Sequence, residues 1–172
     1  CCGSEVYGMG EKGLFDFLVE ENMKIFNKYN VKQAVTCCPH GFHAFKNRYN
    51  QTSFEAQHHT QLLSKLIETG KLTFSKEVNK KVIYHDPCFL GKQNGIYDEP
   101  RKVIESVPGV KLLEFDRSRA RSLCCEGGGG RMWVDIPGPR LAETRVKDSV
   151  EAGADVLAVA CPYCLLTFED AV

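Results

Sequence analysis

The stretch ADVLAVACPYCLLTF, residues 154–168, decides the fold. Ala154 to Ala160 is a short apolar, partly β-branched run of the length of a buried parallel strand. Pro162 then opens a helix, because its fixed φ suits the first helical turn. Cys161 and Cys164 fall on that junction. In α/β folds, sites gather where strands end and helices begin.

Moving outward, the alternation continues. Pro139 to Ala152 reads as a helix closed by Gly153, Val110 to Phe115 as a strand, and Glu99 to Ser106 as a helix stopped by Pro108 and Gly109. Lys81 to Tyr84 reads as a strand, Thr60 to Thr69 as a helix ending at Gly70, and a further helix is expected from Pro39. Val31 to Thr36 is an expected strand. Glu11 to Tyr29 places Leu14, Phe15, Phe17, Leu18, Met23 and Phe26 roughly on one helical face. Helices alternating with strands imply an α/β fold with mainly parallel sheets.

The same junction occurs twice, at an offset of 123 residues. Cys1 and Cys2 map onto Cys124 and Cys125, Cys38 onto Cys161, Pro39 onto Pro162, His40 onto Tyr163 and Phe45 onto Phe168. In both copies 35 residues intervene, between Cys2 and Cys38 and again between Cys125 and Cys161. A duplicated unit is therefore expected, divided near residues 72–80, with 1–76 as the later part of a first unit and 77–172 as a second. The counterpart of Cys88 would lie about 36 residues upstream of Cys1, so the sequence reads as a piece of a longer chain.

Length and composition set the class. A chain of 172 residues, 43% of them hydrophobic, buries a real core. Its 22 Lys and Arg balance 22 Asp and Glu, so no net field selects nucleic acid as a partner. Val156 to Cys161 is among the longest apolar runs and is too short to span a bilayer. Nine cysteines are an odd number, and many sit as adjacent pairs that cannot easily bridge each other. Metal or redox chemistry in a reducing compartment explains them better than disulfides.

In the second unit the thiols fall as Cys88, Cys124, Cys125, Cys161 and Cys164, brought by three loops to one region. Iron–sulfur clusters take cysteine thiolates, and helix N-termini offer N–H groups to a negative core. The run Gly127, Gly128, Gly129 and Gly130 beside Cys125 is expected to let backbone approach such a core. Five histidines, His40, His43, His58, His59 and His85, are further candidates, with His85 nearest a ligand motif. Two other chemistries fit parts of the pattern. Cys161-Pro-Tyr-Cys164 has the form of a glutaredoxin-like dithiol, and four of the thiols would satisfy a structural zinc ion.

The duplicated pattern of a cysteine, a CCG triplet and a closing CxxC resembles the CCG-domain iron–sulfur proteins. These include the disulfide-cleaving subunits of heterodisulfide reductase and related subunits of lactate-utilisation and anaerobic glycerol-3-phosphate dehydrogenase systems. The most specific stretches are His85-Asp-Pro-Cys88, Cys124-Cys-Glu-Gly-Gly-Gly-Gly-Arg-Met-Trp133 and Cys161-Pro-Tyr-Cys164. Their wording is similar to the branch that links electron-transferring flavoproteins or acyl-CoA chemistry to other carriers. The resemblance implies a non-cubane [4Fe–4S] cluster on Cys88, Cys124, Cys125, Cys161 and Cys164. It carries Cys1, Cys2 and Cys38 onto a first site, where Gly41 stands in place of a cysteine and Cys37 is an extra thiol. That first site is expected to be altered or empty. Glu126 replaces the glycine of CCG, adding a carboxylate expected to lower the potential. The implied function is an oxidoreductase subunit relaying electrons between a flavin or iron–sulfur partner and a disulfide or other acceptor within a multi-subunit complex. A cytoplasmic location is expected, with membrane association only through partners or further segments.

Overall fold

The computed structural model describes residues 1–50, 52–135 and 137–172. Along the chain come α1 (Ser4–Gly8), α2 (Lys12–Lys28), β1 (Gln33–Thr36), α3 (Pro39–Asn47), β2 (Glu55–His58) and α4 (His59–Glu68). They are followed by β3 (Lys81–His85), α5 (Asp98–Glu105), β4 (Lys111–Leu113), α6 (Leu141–Glu151), β5 (Val156–Val159) and α7 (Pro162–Glu169). Residues 72–80 carry no helix or strand.

All strand pairs are parallel, as the alternation implies. β3 is central in a three-stranded sheet, with Ile83 facing Leu113 of β4 and Leu157 of β5. Val82, Ile83, Tyr84 and His85 are all buried, as expected of a strand covered on both faces. A second sheet pairs β1 with β2, Thr36 opposite His58. Parallel neighbours need a crossover, supplied by α5 between β3 and β4 and by α3 between β1 and β2. Phe42 of α3 packs in one core with Tyr84, Leu90, Ile96 and Ala160, which joins the two sheets through a common apolar layer. Among the described residues no helix is long and apolar enough to cross a membrane.

The helix ends follow their local chemistry. Pro39 and Pro162 occupy the first helical turns of α3 and α7, directly behind Cys38 and Cys161 as N-caps. Gly153, at φ +71°, closes α6 while its N–H reaches the Val150 carbonyl (2.9 Å) and the Ala154 N–H reaches Ser149 (3.1 Å).

Two buried histidines are expected to make the fold acid-sensitive. His58 is fully buried beside the His59 ring, and burial first, then the charge of His59, lowers its pKa to about 4. His85 is lowered to about 3, by burial and then by Arg145. Both are neutral in the native chain, whereas the unfolded chain takes up protons below its ordinary histidine pKa. Their stabilising contribution is therefore complete above about pH 6.5 and is lost as the pH falls toward the folded values. For His58 alone, the metal-free chain is expected to lose roughly 2 kcal/mol between pH 7 and pH 5. Urea unfolding at the two pH values checks this, and His58→Gln is expected to flatten the dependence.

Candidate metal centre

The thiols of Cys88, Cys124, Cys125, Cys161 and Cys164 converge because three junctions end at one place. β3 runs through His85-Asp86-Pro87 into Cys88, the loop before the glycine run carries Cys124 and Cys125, and β5 delivers Cys161 to the start of α7. Cys164, two residues after Pro162, then points back into the same volume. Cys125, Cys161 and Cys164 are 4%, 4% and 2% exposed and pack with Ala142 and Phe168.

The titration of each of the five thiols is shifted by its neighbour in turn, Cys88 with Cys124, Cys124 with Cys125, Cys125 with Cys164 and Cys164 with Cys161, and the sulfurs of Cys125 and Cys164 lie within 4.8 Å of each other. The neighbouring Cys125 and Cys88 thiols hold the Cys124 thiol far below its ordinary value. Cys88 is pushed up, first by its bond to Cys124 and then by burial. Cys161 is lowered to about 7, chiefly by Cys164, with the first-turn amides of Cys164 and Tyr163 acting the same way against burial. Cys164 is driven well above the usual thiol range by its bonds to Cys125 and Cys161 and by burial. Backbone amides also face the sulfurs: Glu126 N–H to Cys124 Sγ at 3.3 Å and Gly127 N–H to Cys125 Sγ at 3.4 Å. The donor set, five thiols with amides directed at them, fits a cysteine-ligated iron–sulfur cluster.

The glycine run is held against protein. A Cβ on Gly127 would sit 2.8 Å from the Tyr163 carbonyl oxygen, and one on Gly128 would sit 2.6 Å from His40 Cε1. The N–H groups of Gly129 and Gly130 donate to Glu5 Oε2 at 2.6 and 3.3 Å. Glu5 also meets His40 Nδ1, and the His40 ring lies between Phe89 (4.1 Å) and Tyr163 (4.8 Å). Glu5 and His40 thus tie the early part of the chain to the loop beside Cys125. Glu126, in the CCG glycine position, adopts φ +65°. Its carboxylate accepts the Leu141 N–H at 2.7 Å and an Arg131 N–H at 3.4 Å, which holds this unfavourable backbone in place.

Cys1 and Cys2 precede α1, and Cys37 and Cys38 follow β1. Cys38 lies at the N-cap of α3 and is pushed up to about 11, mainly by burial and further by the Cys161 and Cys2 thiols nearby. Cys1 is exposed, with its sulfur accepting the Gly3 N–H at 3.4 Å. A Cβ on Gly41 would meet Cys2 Sγ at 3.8 Å and Cys38 Cβ at 4.0 Å, ordinary contacts that leave room for a side chain. Cys37 follows the last residue of β1 and is exposed. Of the histidines, only His85 is grouped with thiols among the described residues: one ring nitrogen lies within 4.8 Å of the sulfurs of Cys125 and Cys164.

Glu5 carries no sequence signal, since its partners are distant along the chain. Arg145 did carry one. It occupies the buried face of α6 with Ala142 and Ser149, a position the helical period assigns to an apolar residue.

Comparison with known proteins places these features in a wider group. A family model described as a cysteine-rich domain, CCG, matches residues 1–46 and 82–169. The chain is 37% identical, over all of its length, to 25% of an EtfAB:quinone oxidoreductase of Syntrophomonas wolfei. It is 38% identical, over 94% of its length, to 23% of a probable iron-sulfur-binding oxidoreductase, FadF, of Bacillus subtilis. One component of the dihydromethanophenazine:CoB–CoM heterodisulfide reductase of Methanosarcina barkeri is 37% identical over 99% of the chain and 44% of its own length. The chain therefore spans from 23% to 44% of the length of these relatives.

Proposed function

Because the chain belongs to the cysteine-rich CCG family, we propose that it holds an iron–sulfur cluster on Cys88, Cys124, Cys125, Cys161 and Cys164 and serves as the electron-relaying part of an oxidoreductase. The packing of Cys125, Cys161 and Cys164 into one buried cluster, with backbone amides directed at Cys124 and Cys125, carries this reading. Zinc takes four ligands and would leave one thiol idle. A dithiol oxidoreductase needs an accessible thiolate, whereas Cys161 and Cys164 are 4% and 2% exposed. Five thiolates also exceed the four of an ordinary [4Fe–4S] cubane, which favours the non-cubane form.

When bound, the cluster supplies one-electron chemistry. The chain's part is to hold and shield. The amides of Glu126 and Gly127 and the start of α7 face the sulfurs and favour their anionic state. Phe168, Ala142 and Val146 cover the inner side and keep water out. Cys124 is the exposed member of the five, so we assign electron exchange with the partner to its side. A flavoprotein or another iron–sulfur subunit is the partner class we infer from the names of the relatives.

We read the chain as two units, 1–76 and 77–172. Support comes from the two separate sheets and from β1 with α3 and β5 with α7 standing 123 residues apart. The first site, Cys1, Cys2 and Cys38, lacks a thiol at Gly41. In a chain extended upstream of Cys1, Gly41→Cys is expected to raise bound iron and sulfide, because the new side chain has space beside Cys2. No rise would mean that this position is not what limits the site.

The relay reading is tested by the visible absorption of anaerobically purified protein. A broad band that bleaches with dithionite and returns on oxidation is expected. A colourless protein, indifferent to dithionite, would contradict it.

A further inference from the structure

Arg145 is a buried cation without a close anion. Its side chain is fully buried, with the guanidinium carbon 3.3 Å from the Phe115 ring centroid. The nearest carboxylate, Asp148, is 3.9 Å away and is shared with Arg117 at the same distance. Nη2 donates to the Arg117 carbonyl at 3.0 Å and to Ser122 Oγ at 3.3 Å, while Nη1, which faces Asp148, makes no hydrogen bond among the described residues. Burying such a charge is unfavourable unless negative charge lies near.

The remaining N–H supplies the direction. Arg145 Nε donates to His85 Nδ1 at 3.4 Å. Arginine offers only donors, so Nδ1 must accept and the neutral imidazole carries its proton on Nε2. The ring is 1% exposed and stands edge-on to Phe168 at 4.8 Å, which fixes its plane beside Cys125 and Cys164.

We propose that Arg145 and His85 form a two-residue relay that raises the reduction potential of the cluster, with Arg145 fixing the tautomer and His85 Nε2–H donating to the thiolate sulfur of Cys125 or Cys164. It rests on the reading that these thiols hold the cluster. Reduction adds negative charge, and both the N–H and the cation behind it stabilise that charge. Both are positioning residues, since the electron passes through neither.

Two measurements test it. In the metal-free chain labelled with 15N-histidine, long-range 15N–1H NMR is expected to find His85 protonated at Nε2, with Arg145→Met releasing a mixture of tautomers. A proton on Nδ1 in the native chain would overturn the relay whether or not a cluster binds. In the iron-loaded protein, a redox titration is expected to give Arg145→Met and His85→Phe lower midpoint potentials. The reduced-to-oxidised ratio at fixed potential should fall at least tenfold, or 59 mV for one electron. Arg145→Lys is expected to recover part of the shift. Unchanged potentials in both variants at full iron content would also overturn it. Failure of the native chain to take up iron would instead reject the cluster reading, with the NMR result still deciding the tautomer.

Discussion

Cys125→Ser is expected to strip the protein of its iron. Cys125 stands in the middle of the thiol run, between Cys124 and Cys164, and is 4% exposed within the packed cluster around Ala142 and Phe168. A serine hydroxyl there binds iron poorly and places an unsatisfied donor in an apolar setting. Because ligand binding and folding are linked, the three-stranded sheet of β3, β4 and β5 should also lose stability. Cys37→Ser is the control: that thiol is exposed and stands outside the run, so its loss should leave iron unchanged. Atomic absorption on both variants reads the difference. Equal iron in Cys125→Ser and the native chain would remove Cys125 from the ligand set.

The second large effect is expected at Arg101, which makes no contact with the thiols. Its Nη1 and Nη2 donate to the two Asp86 carboxylate oxygens at 2.7 and 2.9 Å, and Nε and Nη2 reach Glu114 at 2.5 and 2.8 Å. Burial works to lower its pKa, but the bonds to Glu114 and Asp86 prevail and raise it. Arg101→Leu would leave Asp86, 2% exposed, with only the Arg119 N–H at 2.7 Å as partner. Removing one member of a buried ion pair costs about 3–5 kcal/mol. Asp86 lies two residues before Cys88, so iron retention should weaken as well. Urea unfolding measures the first effect, and Asp86→Leu combined with Arg101→Leu should restore part of it. A loss below about 1 kcal/mol would mean that the pair is not desolvated as the packing indicates.

Where the sequence was legible, it carried a period or a spacing. β5 and α7 follow from an apolar run, a proline and two cysteines at a junction, and the five thiols follow from repeated spacings of 35 residues. β2 was not legible, because Glu55-Ala-Gln-His58 shows no apolar alternation and is a strand through its pairing with β1. α1 is a single short turn with too little sequence to announce itself. The partners of the site's supports were hidden for another reason: Glu5 meets Gly129 across 124 residues, and Arg145, whose place on the buried face of α6 is legible, meets His85 across 60. No local pattern encodes such distant polar partners. The composition of the glycine run points to access for an inorganic core, yet Gly127 and Gly128 also leave space for Tyr163 and His40, which no spacing reveals.

The most direct test of a cluster on Cys88, Cys124, Cys125, Cys161 and Cys164 is elemental. Anaerobically purified protein would be assayed for iron, zinc and acid-labile sulfide, with electron paramagnetic resonance spectra of the oxidised and reduced forms. Iron and sulfide in equal amounts, with a signal that changes on reduction, is the expected result. Zinc without sulfide, or no metal at all, would contradict it.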